Sequence, residues 1–228
     1  MRLSLLLVIF SGTVALMGQE RHEFWSKLYV KHDISKHWAI ASDIQYRTQG
    51  NYHQNHSGCF DHYKMQSGRL WMQYALNSSA EILLSPIAYF RTSDLLPNSD
   101  DWGMTNEIRL SAGLQKTQNF KTFSLKWRFL TESRHFIYPI RTQQYRSRLQ
   151  MQIKIPVIKK KQTEVGVVIT EEYFYKLFEK MDNNRVFSGL SLRLNQQEIQ
   201  TGFQWQQQGS FKSGVRILQF VSTINVTF

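Results

Sequence analysis

The stretch YRSRLQMQIKI, residues 145–155, alternates along its length. Tyr145, Leu149, Met151, Ile153 and Ile155 share one parity; Arg146, Arg148, Gln150, Gln152 and Lys154 share the other. Successive side chains of a strand point to opposite faces, so this two-residue period makes one apolar face and one charged face. The run is long for a soluble strand. It matches the roughly 9–11 residues that a tilted strand needs to cross a bilayer.

The same pattern extends outward in both directions. Upstream, residues 123–134 set Phe123, Leu125, Trp127 and Phe129 against Lys126, Arg128, Glu132 and Arg134, and residues 104–115 set Ile108, Leu110, Ala112 and Leu114 against Glu107, Arg109, Ser111 and Gln115. Residues 69–76, 37–47 and 24–31 alternate similarly, while 81–91 are apolar on both parities. Downstream, 164–174 carry Glu172 on the Thr170 face, and 184–195 set Val186, Leu190, Leu192 and Leu194 against Arg185, Ser191 and Arg193. Residues 198–206 follow, and the last stretch alternates back from Phe228 through Val226, Ile224, Phe220 and Leu218. Tight connections around 77–79, 117–119, 159–161 and 195–197 alternate with longer ones at 48–66, 92–102 and 177–183. Backbone groups in lipid must all be paired, so such strands must close on themselves. The expected fold is all-β, an antiparallel transmembrane β-barrel. Eleven strands are clear; two termini on one side of the membrane call for an even number, so twelve is expected, with part of 50–66 as the extra strand, and ten is the alternative.

The start of the chain agrees with export. Arg2, the apolar run Leu3–Phe10 and the small residues after it have the order of a secretory signal peptide, too short to span a bilayer comfortably. Cleavage is expected after Gly18, with Ala15 as the alternative, leaving residues 19–228 as one barrel domain. The formal charge is +11, and Arg2 is the only charge in residues 1–18, so the mature chain carries +10. In an exported protein this charge points to anionic lipid surfaces or a basic lumen, and nucleic acid is not an expected partner. Aromatics make up 14% of the chain and only four prolines occur. The single cysteine excludes an internal disulfide.

The sequence resembles the bacterial outer-membrane β-barrel proteins catalogued as domain of unknown function 2490. The resemblance covers nearly the whole mature chain and is carried by EFWSKLYVKHDISKHWAIASDIQYR, EIRLSAGLQK, RFLTESRHF, YRSRLQMQIKIP, TEEYFY, NNRVFSGLSLRLN and the terminal strand. The family's glutamate-then-arginine signature corresponds to Glu132 and Arg134, its paired arginines to Arg146 and Arg148, and its asparagine–arginine pair to Asn184 and Arg185. Leu130 departs from the pattern, standing where an arginine often occurs. The resemblance implies an outer-membrane barrel and no established activity.

These residues define the functional expectations. If the apolar parity faces lipid, Glu107, Arg109, Lys126, Arg128, Glu132, Arg134, Arg146, Arg148, Glu172, Arg185 and Arg193 face inward. Arginine–glutamate pairs can fill a narrow barrel, and an arginine excess can instead bind or pass anions. The leading expectation is a structural barrel or small pore; the alternatives are a lipid-modifying enzyme and a barrel that binds or transports small anionic solutes. No nucleophile elbow, phosphate loop or HExxH motif occurs, and of the seven histidines His135, beside Arg134, is the best candidate for chemistry. His53, His56, Cys59 and His62 recur every third residue in the longest connection, a spacing that suits neither a strand nor a helical zinc site, so a solvated loop is favoured over metal binding. No cofactor is expected. The expected partners are outer-membrane lipids, lipopolysaccharide and the barrel-assembly machinery, for which Phe228 ends the assembly signal.

Overall fold

The computed structural model describes residues 20–50, 58–95, 102–177, 181–208 and 215–228. They form eleven strands: β1 (Glu20–Asp33), β2 (Trp38–Gln49), β3 (His62–Ala75), β4 (Ala80–Leu95), β5 (Trp102–Asn119), β6 (Ser124–Tyr138), β7 (Thr142–Lys159), β8 (Thr163–Lys176), β9 (Met181–Leu194), β10 (Gln197–Gln208) and β11 (Val215–Thr227). Each strand pairs antiparallel with its sequence neighbours, and β11 closes on β1 in parallel, Phe24 opposite Phe220 and Lys31 opposite Thr227. The result is a closed barrel with no free edge.

The strand number corrects the expectation of twelve, and the alternative of ten. Among the described residues, 62–66 lengthen β3 toward Gln49 and form no strand of their own. Parallel closure then places Glu20 and Phe228 at opposite ends, so the premise of two termini on one side does not hold. The barrel is accordingly mixed, with one parallel seam.

The two ends differ. At one, the connections 34–37, 76–79, 120–123, 160–162 and 195–196 are two to four residues long. Asn195 adopts φ 55° in the tightest of them, a left-handed conformation that asparagine tolerates. The β5–β6 turn sits at 120–123, past the expected 117–119, because β5 continues to Asn119. At the other end three connections are longer, 50–61, 96–101 and 209–214, while 139–141 and 177–180 are as short as the first set, the latter shorter than the expected 177–183 because β9 begins at Met181. Phe228 lies at the short-turn end, where its N–H donates to the Lys31 carbonyl at 2.9 Å and its carbonyl accepts from Asp33 at 3.1 Å.

Burial is inverted relative to a soluble protein. Ile44 (60% exposed), Leu114, Leu190 and Phe203 point outward, whereas Glu23, Asp43, Glu107, Glu132 and Arg146 are buried inside. The segment 81–91 is apolar on both parities because the register shifts there. Ser85 pairs with Ser111 and Ala88 with Arg109, so Pro86 and Ile87 both face outward. Leu83 and Ser85 point inward before this bulge, and Ala88 and Phe90 after it. Across β9 and β10, Gly189 opposes Gly202; a Cβ on Gly202 would sit 2.2 Å from the Ser188 carbonyl and 2.5 Å from Gly189 Cα, so that close approach requires glycine.

Candidate functional site in the barrel lumen

The interior is organised around buried carboxylates. Glu132 on β6 has a fully buried side chain and accepts from Arg146 Nε at 3.0 Å and from its terminal nitrogen at 2.5 Å. Arg69 reaches the same carboxylate at 3.5 Å from β3, and Arg148 lies 4.0 Å away. Arg69 can cross two strands because the inward residues between are small: Ser85, Ala88 and Ser111. Arg148 also donates to Glu172, whose other oxygen lies 3.6 Å from Arg185. Glu107 accepts from two guanidinium groups, Arg109 (2.5 and 2.9 Å) and Arg134 (2.7 and 2.9 Å). Forked pairing of this kind satisfies several carboxylate lone pairs at once where water is scarce.

Aromatic plates separate the guanidinium groups. Arg109 stacks over Phe90 and Arg47 over Trp25, each 3.7 Å from the ring centroid. Phe174 is flanked by Arg146, Arg148 and Arg185 at 4.6–5.3 Å. Such stacking shields like charges while keeping each attracted to a ring face. Leu130 is fully buried and joins Ala41, Trp71 and Leu83 in an apolar patch on the lumen wall.

A cavity of about 400 Å³ occupies the lumen. Ten lysines and arginines line it, against the carboxylates of Asp43, Glu81, Glu172 and Glu198. Toward the long-loop end, among the described residues, lies a layer of buried polar side chains. There Glu23 pairs with Lys64 and accepts from Gln219 at 2.6 Å, Gln219 accepts from Gln204, and Gln49 and Gln206 are buried beside them. At the short-turn end the cavity reaches Lys31 and Glu81, both partly exposed. Midway stand Lys27, Lys126 and Arg128. Among the described residues none of the three has a carboxylate within 4.0 Å, and Arg128 bonds only the Gln115 amide oxygen, at 2.9 and 2.5 Å. The nearby Asp43 is held by neutral donors, Trp71 Nε1 and Gln45 Nε2, both at 2.8 Å.

The sequence-chosen charges fall in three places. Arg109, Lys126, Arg128, Arg146, Arg148, Glu172 and Arg185 line the cavity, and Glu107, Glu132 and Arg134 are embedded in its wall. Arg193 stands at the short-turn rim, 46% exposed, 3.8 Å from Glu164 and 3.6 Å from Glu198. Missed were Lys27, Asp43, Lys64, Arg69 and Glu23; the pairs Lys64–Glu23 and Arg69–Glu132 join strands that are not neighbours in the sheet. Phe174 and Phe90 were missed as well, although Phe174 shares the parity of Glu172, and an aromatic among charges is the signal that marks it. Of the loop quartet, His53 and His56 lie outside the described residues; Cys59 is a half-buried free thiol and His62 begins β3. Among the described residues no three His, Cys, Asp or Glu side chains gather in a way that could hold a metal. His135 faces the outer wall, its Nε2 3.0 Å from Ser133 Oγ.

No curated protein matches the chain. A family model described as protein of unknown function (DUF2490) matches residues 22–215, most of the chain and nearly the whole barrel, so the chain belongs to that family.

Proposed function

We propose that this protein is an integral barrel of the bacterial outer membrane, exported by a cleaved signal peptide, with the short turns and Phe228 toward the periplasm. Its lumen is a blind, basic cavity that takes small anions from the periplasmic side and does not conduct solutes across the membrane. The observation that carries the reading is the inverted burial: an apolar outer wall around a charged interior matches lipid outside and polar contents within. The blind cavity rests on the polar layer at Glu23, Gln49, Lys64, Gln206 and Gln219. Anion selection rests on the surplus of cations, of which Lys27, Lys126 and Arg128 have no carboxylate within 4.0 Å among the described residues.

Three measurements test this. The protein should fractionate with outer membranes and migrate faster unheated than boiled on a gel; recovery as soluble periplasmic protein overturns the location. A protease site inserted between 96 and 101 should be cut on intact cells and one at 160–162 should not; the reverse result overturns the orientation. In planar bilayers the wild type should show no steady conductance, and steady open-channel currents would make it a pore.

A further inference from the structure

We infer that the outer wall carries an acyl-ester hydrolase site, with Ser133 as nucleophile, His135 as its base and Gln143 as the donor that stabilises the oxyanion. Ser133 and His135 are two residues apart on β6, so both point away from the charged lumen. Ser133 Oγ lies 3.0 Å from His135 Nε2. Opposite on β7, Gln143 pairs with His135 and Tyr145 pairs with Ser133. Gln143 Nε2 donates to Tyr145 Oη at 2.6 Å and to Ser133 Oγ at 3.3 Å. Both amide hydrogens of Gln143 lie on oxygens, which leaves the Ser133 proton able to point at His135 Nε2 in the tautomer with the imidazole proton on Nδ1. A hydroxyl hydrogen-bonded to a neutral imidazole is the arrangement nucleophilic acyl transfer requires.

The second observation is a groove of about 370 Å³ beside the serine. Leu84, Pro86, Leu110, Tyr145 and Leu177 line it with Ser133, and Glu132 and Arg146 of the wall network also border it. It runs where the bulge at Ser85–Ala88 turns Pro86 and Ile87 outward, and its exposed lining is overwhelmingly apolar. On the proposed membrane reading, on which this inference rests, Ser133 sits toward the long-loop end and the groove faces the acyl chains of the outer leaflet. The substrate class is therefore a long-chain acyl ester of a membrane amphiphile. Ser133 Oγ adds to the ester carbonyl carbon as its proton passes to His135 Nε2. As Ser133 Oγ turns to the carbonyl carbon, the Gln143 N–H that it held at 3.3 Å passes to the neighbouring carbonyl oxygen and stabilises the charge that develops there. Collapse of the adduct expels the alkoxide, which takes the proton from His135. Water deprotonated by His135 then releases the fatty acid, and the proton returns to Ser133.

The test uses the full mature chain in detergent and needs no membrane, so its failure is separable from failure of the location. A fluorophosphonate probe should label the folded wild type at one serine. Ser133→Ala should abolish labelling, and Ser147→Ala, an outward serine on β7 outside this cluster, should leave it unchanged. His135→Ala should slow labelling by roughly 100-fold, the scale of a lost general base. Gln143→Ala should slow ester turnover by roughly 100-fold, the scale of a lost oxyanion donor. Each variant is checked for the heat-dependent gel shift, so that loss of labelling is read only on folded barrels. Fatty-acid release from phospholipid and from lipopolysaccharide micelles distinguishes the two sources of the ester. A folded wild type with no labelled serine, or labelling that survives Ser133→Ala, overturns the proposal.

Discussion

Two carboxylate clusters built from similar residues behave differently in this barrel. Glu132 lies in the wall of the lumen with no exposed side-chain surface, among Arg69, Arg146 and Arg148. Glu164 and Glu198 lie at the short-turn rim, where Lys154 bridges them at 2.8 Å each and Arg193 is nearly half exposed. Both clusters pair cations with carboxylates, but only the first replaces water. Removing one member of a buried pair strands the others without solvent, while at a rim water and salt take over. The comparison teaches that the interior network is a packing element, and that its specificity comes from which cations are left over.

Experiments on the wall and the rim can break this contrast. Glu132→Ala should have the largest effect, about 3–5 kcal/mol of lost stability, because Arg146 and Arg69 stay buried without their shared partner. Its urea midpoint, read from the unheated gel band, should fall sharply or the barrel should not assemble; a midpoint near wild type would put Glu132 in the same class as the rim. Leu130→Ala should cost about 2–5 kcal/mol by opening a void beside Trp71 and Leu83, measured the same way. Lys27→Gln with Lys126→Gln should raise stability by on the order of 1 kcal/mol, since those cations line one cavity and repel each other and Arg128. The same pair of changes should weaken anion-dependent quenching of the lumen tryptophans Trp25 and Trp71, with pyrophosphate as the probe. Destabilisation with unchanged quenching would show that the unpaired cations are structural. Glu164→Gln should have the smallest effect, below about 1 kcal/mol and erased by added salt.

Eleven strands were legible because the two-residue period is strong in all but 81–91, and the lumen parity of β5 to β9 could be assigned directly. The strand count was not legible. Twelve came from a rule about termini, and nothing local in residues 24–31 or 218–228 says whether those strands meet parallel or antiparallel. The double apolar parity of 81–91 was legible as an anomaly; its cause, a bulge at Ser85–Ala88, emerges only from pairing with β3 and β5. Arg69 could be seen to share a parity with Gln73, but its ion pair with Glu132 depends on small residues on two intervening strands. Leu130 was legible as a departure from the family's arginine, and in the barrel it completes an apolar patch with side chains from β2, β3 and β4.

The same division holds for the candidate catalytic groups. His135 stood out from the other histidines by its place beside Arg134, yet its value as a base depends on the Gln143 and Tyr145 pairing across β7. By itself the sequence determined that alternating strands would form one charged and one apolar wall, because parity is a property of consecutive residues. The tertiary structure alone decided the parallel seam, the leftover cations and the serine–histidine–glutamine cluster. These depend on which strands lie side by side and at what register, and no residue encodes that without its neighbours.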